Sequence, residues 1–350
     1  MNRYELRRQD YSLSGDQTEL QAVYAKFFRT RCPLDVVRAA EATGFDKDLW
    51  EQLCATGATT MALPETAGGD GATLVDLVLV AEELGRTIAP VPWIDHVVGS
   101  RLLARLDALR PEAEHAAAIA EGRRIVALDA RVDATSGRRL IPAGAVADHI
   151  LVRDGGDVVE LSFDARPAKV DNIGRLPMAW VDPAAADRRT VVGSGARALA
   201  AYEFALDEWR ALTAAALVGL VSETLSVAVE FAKNRYTMGV PISTLQGISH
   251  PLANIEIFVQ GGRNLARRAA WFLDNEPEAQ RGLAAAAFVH ASEEAAKAAT
   301  MAVHIQGGLG VSAESASSAY LLRARGWPLA AGDPGASAVR AAELFAAASN

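Results

Sequence analysis

Residues 235–239 read Arg-Tyr-Thr-Met-Gly and close a long apolar-periodic segment, with Pro241 and Gln246 following shortly after. An arginine beside a threonine offers one charged and one neutral hydrogen-bond donor, and this pair suits the oxygens of a pyrophosphate. An arginine at the end of a helix also commonly interacts with the last backbone carbonyls. The stretch therefore indicates either an anion-binding turn or an ordinary helix end.

A second glycine-rich stretch lies near the end of the chain, where residues 304–310 read His-Ile-Gln-Gly-Gly-Leu-Gly after an alanine-rich segment. Glycines commonly end a helix through a left-handed cap. They also let a backbone approach a ligand closely, because no Cβ blocks the way. A lone histidine on an apolar helix is more often a satisfied core residue, so His304 has both a structural and a functional interpretation.

Upstream, residues 63–65 read Leu-Pro-Glu, residues 68–71 read Gly-Gly-Asp-Gly, and residues 82–86 read Glu-Glu-Leu-Gly-Arg. Together with the two C-terminal stretches, these motifs resemble the acyl-CoA dehydrogenase family over most of the chain. The resemblance implies a mainly α fold with a small central β-domain. We expect an N-terminal helical domain over residues 1–118, a β-barrel-like middle domain over 119–195 and a C-terminal helical bundle over 196–350.

The hydrophobic periodicity agrees with this order of elements. Helical spacing of apolar residues occurs over 17–28, 33–43, 47–56, 74–84, 94–106, 217–231, 252–273, 283–303 and 336–348. Short β-branched runs bounded by turn residues occur over 124–128, 149–152, 158–161 and 190–192. A partial dinucleotide fingerprint at residues 193–198 follows the last of these runs, but no second parallel strand follows it, so we interpret it as a strand-to-helix turn.

Composition limits the class of protein. The chain has 350 residues, half of them hydrophobic, and a net charge of −8, which argues against nonspecific nucleic-acid binding. The two cysteines, Cys32 and Cys54, form neither a disulfide framework nor a metal motif. The charged N-terminus leads into no signal-peptide core, and acidic residues interrupt the most apolar runs, among them Glu223. We expect a soluble cytoplasmic protein with no metal site and no membrane insertion.

The resemblance also implies a cofactor and its contacts. Acyl-CoA dehydrogenases use FAD to remove hydride from Cβ of an acyl-CoA thioester, while a carboxylate removes the α-proton. In the family, the matching arginine and threonine reach the flavin of a neighbouring subunit. The residues that carry over to this role are Arg235, Thr237, Gln246, His304, Gly307 and Gly308.

The catalytic carboxylate is the main departure from the family, which places its glutamate at one of two positions. Counting along this chain puts Ala331 at the first and Trp209 at the second, next to Arg210, which matches a family arginine near the substrate. A shift of one residue would bring Glu208 to the second position instead. The cluster that packs on the flavin ring corresponds to residues 140–142, Leu-Ile-Pro, which lack both the aromatic ring and the hydroxyl.

These departures suggest a subunit that serves a neighbour's flavin but lacks its own catalytic glutamate. It resembles the degenerate subunits of actinobacterial heteromeric acyl-CoA dehydrogenases, which implies an α2β2 assembly with a catalytic partner, a bulky acyl-CoA such as a steroid side-chain intermediate, and an electron-transfer acceptor. Two alternatives remain open. One is a flavin-free scaffold or non-redox biosynthetic enzyme, and the other is an ordinary dehydrogenase whose base is Glu208 or Asp333.

Overall fold

The computed structural model describes residue 6 and residues 10–106, 113–131 and 137–348. The first part of the chain is helical. Its helices are α1 (Gly15–Arg31), α2 (Leu34–Ala39), α3 (Lys47–Cys54), α4 (Leu74–Arg86), α5 (Trp93–Arg105) and α6 (Ala113–Ala120). Capping boxes start two of them, since Ser14 pairs with Gln17 at α1 and Thr73 pairs with Asp76 at α4.

Strands follow the helices in two small sheets. They are β1 (Val126–Leu128), β2 (Arg139–Ile141), β3 (His149–Asp154), β4 (Asp157–Ser162), β5 (Ala179–Val181) and β6 (Arg188–Ser194). The larger sheet has the order β1-β3-β4-β6, with β1 parallel to β3 and the other pairs antiparallel. The smaller sheet pairs β2 with β5 and sets Leu140 directly opposite Trp180.

The last part of the chain returns to helices. They are α7 (Gly195–Asn234), α8 (Gln246–Asn275), α9 (Leu283–Gln306), α10 (Ala316–Gly326) and α11 (Pro334–Ala348). A hairpin of β7 (Tyr236–Thr237) and β8 (Val240–Pro241) joins α7 to α8. The mainly α fold with a small β region confirms the expected fold class.

The centre of the core is α7, which is 40 residues long and continuously buried from residue 205 to residue 221. By length and composition alone it is apolar enough to cross a membrane, although Glu223 interrupts its apolar run. However, 72% of its most apolar window is buried inside the protein. A helix that is apolar on every side and surrounded by other elements is a core helix.

Two glycines allow α4 and α7 to approach closely. A Cβ at Gly85 would collide with the carbonyl oxygen of Ala216, and a Cβ at Gly219 would collide with the carbonyl oxygen of Glu82. Neither obstacle is a flexible side chain, so only a separation of the helices would relieve the collision. The two glycines therefore set the distance between the N-terminal helices and the central helix.

We expect Gly219→Ala to destabilise the protein by about 3 kcal/mol, because overpacking against backbone outweighs the better helix propensity of alanine. The matched control is Gly261→Ala on α8, where an added Cβ meets nothing within 4 Å. That change should be neutral or raise stability by up to about 1 kcal/mol. Urea unfolding of both variants measures the difference, and equal stabilities would contradict this account of the helix contact.

The elements missed by the sequence analysis are short and lie outside its periodic segments: α6, α10, β2, β5, β7 and β8. The turn at residues 193–195 does lead from β6 directly into α7. No parallel strand follows α7; the next strands are the antiparallel β7–β8 pair. The interpretation of this turn as an ordinary strand-to-helix connection agrees with that topology.

Candidate functional site

The first part of the candidate site is the hairpin after α7. Arg235 caps α7 through its backbone N–H, which donates to the carbonyl of Phe231, and its own carbonyl accepts from Ile242 at 2.8 Å. The turn uses Met238 with φ 51° and Gly239 with φ 80°. Left-handed conformations at both central positions are typical of tight two-residue hairpins. The hairpin thus fixes the backbone on both sides of Thr237.

Arg235 and Thr237 are both exposed in the single chain. Neither side chain makes a hydrogen bond or ion pair with any other residue that the structure describes. The guanidinium therefore does not satisfy the carbonyls at the end of α7, as the simpler interpretation of the sequence had it. Both donors remain available to a phosphate oxygen.

The second part is the turn that follows α9. Gly307 has φ 61° and ψ −135°, a conformation that side chains disfavour, and its N–H donates to the carbonyl of His304. A Cβ added at Gly307 or Gly308 would meet nothing within 4 Å, whereas one at Gly310 would meet the carbonyl of Val303. The backbone at Gly307 and Gly308 is therefore open to a ligand, whereas Gly310 lacks a side chain because its backbone packs directly against α9.

The two remaining cofactor candidates are also on the surface. His304 is exposed, so its interpretation as a satisfied core histidine is wrong. Gln246 is the exposed first residue of α8. A different glutamine of the turn, Gln306, is buried, and its amide donates to Ser317 at 2.6 Å and accepts from Ser315 at 3.1 Å. These bonds hold the backbone of the turn in place.

Large apolar side chains surround these donors. Met238 is 94% exposed, an unusual condition for a methionine in an ordered turn. The other exposed apolar residues near the hairpin and the glycine turn in sequence are Tyr236, Val240, Leu245, Leu309 and Val311. Groups of exposed apolar residues mark interaction sites more often than free surface.

The third part is the position of the catalytic glutamate. Trp209 is buried, its Nε1 donates to Asp95 at 3.0 Å, and its ring centre lies 5.5 Å from that of Phe288. Ala331 lies at the other position and carries no carboxylate. Trp209 lines one cavity together with Pro142 and with Ala330, the neighbour of Ala331. Two positions identified by separate counts along the chain, Pro142 and Trp209, therefore line one cavity, and the third, Ala331, follows a residue of its wall.

This cavity, which we call the residual chamber, has a volume of about 30 Å³. It has room for one or two water molecules, since a water needs roughly 10–15 Å³. Ligand pockets generally measure about 300–1,000 Å³, so no acyl group fits here. Sequence reasoning missed most of its walls, among them Asp95 and Arg323, for which no motif gives a signal.

Glu208, the alternative base, does not line the residual chamber. Its side chain is fully buried and accepts hydrogen bonds from Arg101 at 2.9 Å and from Arg105 at 2.9 and 3.2 Å. Burial alone would raise the pKa of this carboxyl, but the two guanidinium groups outweigh it and hold the pKa below its usual value. Glu208 is therefore an anion committed to an ion-pair cluster.

Two other candidates are similarly engaged. Arg210 is buried and pairs with Asp207 at 2.6 Å, so its guanidinium does not face an open substrate site. Asp333 is exposed and accepts the N–H of Gly335 at 2.9 Å, which caps the start of α11. A much larger groove of about 620 Å³ lies beside α3, but none of the predicted site residues line it.

Asp95 gives a pH-dependent prediction. Burial is the largest influence on its carboxyl and raises the pKa to about 6, although the hydrogen bond from Trp209 acts in the opposite direction. The folded state thus binds more protons than the unfolded state between about pH 4 and 6, and stability falls as pH rises through this window. Asp95→Asn keeps the acceptor for Trp209 and removes the charge of a partly buried carboxyl.

We therefore expect Asp95→Asn to be more stable than the wild type at pH 7.5 by roughly 2–3 kcal/mol, and by much less at pH 4.5. Thermal unfolding at both pH values measures the change. Asp171→Asn, at a fully exposed side chain, is the matched control. A difference that does not depend on pH would show that the pKa of the Asp95 carboxyl is not raised.

Comparison with known proteins identifies the family of this chain. The family models for the acyl-CoA dehydrogenase N-terminal and C-terminal domains match residues 14–106 and 198–340. The chain is 30% identical over 298 residues to acyl-CoA dehydrogenase IpdE2 of Mycobacterium tuberculosis, covering 83% of this chain and 85% of the relative.

Two solved structures share the fold. One is a variant of the Tcur3481-Tcur3483 steroid ACAD, with a TM-score of 0.83, 24% identity, and coverage of 95% of this chain and 98% of that one. The other is the ChsE4-ChsE5 complex from Mycobacterium tuberculosis, with a TM-score of 0.82, 24% identity, and coverage of 96% and 99%. Proteins of this family are FAD-dependent flavoproteins. From its matched domains, its relative and its fold, this chain belongs to the acyl-CoA dehydrogenase family.

Proposed function

We propose that this chain is the non-catalytic subunit of a heteromeric FAD-dependent acyl-CoA dehydrogenase, completing a cofactor site whose catalytic glutamate belongs to a partner subunit. One contrast carries the proposal. The donors that the family directs at a neighbour's flavin are exposed and unpaired, whereas the place of the chain's own base is a chamber of about 30 Å³ with no free glutamate.

The residues present fit part of FAD. Arg235 would bind a pyrophosphate oxygen through its guanidinium group, and the hydroxyl of Thr237 would donate a second hydrogen bond beside it. Gly307 and Gly308 would let the backbone of the turn approach the cofactor, with His304 and Gln246 on its adenine side. When bound, FAD accepts the hydride released from the substrate. Nothing equivalent would hold the flavin ring in this chain's own site, where Leu140 and Pro142 offer neither an aromatic ring nor a hydroxyl.

By this proposal, the base that removes the α-proton also belongs to the partner subunit. Removal of an α-proton needs a base within hydrogen-bond reach of the carbon that loses it. In this chain Glu208 is committed to two arginines, Asp333 caps a helix and Asp95 accepts the N–H of Trp209, while Trp209 and Ala331 carry no carboxylate. Arg210 would be a vestige of the substrate site, since its pairing with Asp207 serves the packing of α7.

Similar proteins support a proposal for the substrate and the assembly. One structural neighbour is described as a steroid ACAD, and another is a complex of two different chains. We infer an α2β2 assembly in the cytoplasm that acts on a bulky acyl-CoA, such as a steroid side-chain thioester, and passes electrons to an external acceptor. The exposed apolar residues around Met238 would pack against the partner.

We also propose that the chain divides into three domains, over residues 1–118, 119–195 and 196–350.

The test is to purify the chain alone and after co-expression with an intact acyl-CoA dehydrogenase chain encoded beside it, recording the visible spectrum and the native mass of each sample. We expect a colourless chain alone and a yellow mixed complex that reduces a dye in the presence of acyl-CoA. A yellow, active protein from this chain alone would overturn the proposal. A colourless homo-oligomer under both conditions would instead support the flavin-free scaffold.

A further inference from the structure

The residual chamber is bounded by elements from distant parts of the chain. Asp95 lies on α5, Pro142 just after β2, Trp209 on α7, Arg323 on α10, and Ala330 in the following turn. Two tryptophans line it, Trp209, which is 2% exposed, and Trp327, which is 8% exposed. Of the two, Trp209 stands where counting along the chain puts the family's base, so its indole takes the place of a carboxylate there.

Two independent contacts hold this indole. Asp95 accepts its N–H at 3.0 Å, and the Phe288 ring packs on it at 5.5 Å between centres with an angle of 58° between planes. Because a buried indole N–H normally requires a hydrogen-bond partner, the contact with Asp95 favours one orientation of the ring. Rotation of the ring out of the chamber would leave both the N–H and a carboxylate oxygen unpaired.

The walls of the chamber also disfavour an acyl group. Asp95 forms no ion pair with any cation that the structure describes. Arg323 is 5% exposed and makes no side-chain hydrogen bond or ion pair with a residue that the structure describes; its guanidinium carbon lies 5.6 Å from the centre of the Trp327 ring, and Cys32 and Glu41 act on its charge electrostatically. Water in the chamber can satisfy both groups, but an apolar chain placed there would strip that water from them.

We propose that Trp209 is a plug that prevents this subunit from binding an acyl chain, and that Asp95 acts as its latch. The inference rests on the proposed function, because it explains how the non-catalytic site is kept closed rather than merely left without a base. Trp209 has a steric role and Asp95 a positioning role. In the assembly, the plug directs the acyl-CoA to the partner's site alone.

The experiment measures binding of octanoyl-CoA by calorimetry to the mixed complex, with the partner's own site blocked by a tight substrate analogue. We expect no binding to the remaining sites of the wild type. Trp209→Ala removes most of the indole volume and should allow binding at least about tenfold tighter than the wild type, because several methylene groups become buried. Trp271→Ala is the matched control, since Trp271 is also buried but does not line the chamber.

Two further variants keep the test valid if Trp209→Ala does not fold. Trp209→Leu leaves an apolar side chain of smaller volume, and Asp95→Leu removes the latch while leaving the indole. Both should bind octanoyl-CoA more tightly than the wild type, though less tightly than Trp209→Ala. A folded Trp209→Ala or Trp209→Leu that binds no better than the wild type would overturn the plug. The flavin content of these complexes tests the proposed function separately, since it depends on Arg235 and not on Trp209.

Discussion

Arg235→Ala is expected to remove most of the flavin from the mixed assembly while leaving the assembly intact. The guanidinium is exposed and has no partner among the described residues of its own chain, so its loss breaks no internal contact. A hydrogen bond to a charged group contributes about 1.5–3 kcal/mol, which corresponds to flavin binding weaker by roughly 10- to 100-fold. Flavin released on dilution and the mass of the assembly measure the two effects separately.

Two variants sharpen this prediction. Arg235→Lys keeps the charge but loses the planar fork, so flavin affinity should fall between those of the wild type and Arg235→Ala. Arg281→Ala is the matched control, because Arg281 is an exposed arginine on the segment between α8 and α9. Flavin occupancy that is unchanged in Arg235→Ala would remove Arg235 from the cofactor site.

Glu208→Gln should destabilise the protein by about 3–5 kcal/mol, because it leaves the guanidinium groups of Arg101 and Arg105 beside a buried neutral amide. The effect should be large because Glu208 is fully buried, and because these three side chains join α5 to α7. Among the described residues, Arg101 would retain a longer contact with Asp274 at 3.8 Å and its bond to the carbonyl of Ala62. Chemical denaturation of the isolated chain measures the loss.

The control is Glu230→Gln on the same helix, at an exposed position whose carboxylate contacts Asn234 one turn away. Surface substitutions of this kind change stability by no more than about 0.5 kcal/mol. If Glu208 were a catalytic base, Glu208→Gln would abolish turnover and leave stability nearly unchanged. That result would restore the ordinary dehydrogenase as the function.

Local sequence signals predict the two turns that carry the candidate cofactor contacts. Arg235 and Thr237 lie within one hairpin, and Gly307 and Gly308 within one turn, so their geometry follows from neighbouring residues. The helical ranges were similarly predictable, because the apolar spacing of α4, α8 and α9 repeats over several turns.

The surroundings of Trp209 and Glu208, the two residues considered for the position of the catalytic base, could not be predicted from local signals. Trp209 meets Asp95 across 114 residues, and Glu208 meets Arg105 across 103. Counting along α7 could place Trp209 and Glu208 one residue apart, but it could not show which of them faced a cavity. Only the packing of α5 against α7 decides that Glu208 is enclosed by arginines and that Trp209 lines the chamber.

The most direct test of the central claim is the ratio of flavin to protein chains in the purified mixed assembly, from the visible spectrum of released FAD and quantitative analysis of both chains. If this chain completes a partner's cofactor site and holds no flavin ring of its own, the assembly will contain one FAD for each pair of different chains. One FAD for every chain would mean that this subunit has a complete flavin site, and the account would be wrong.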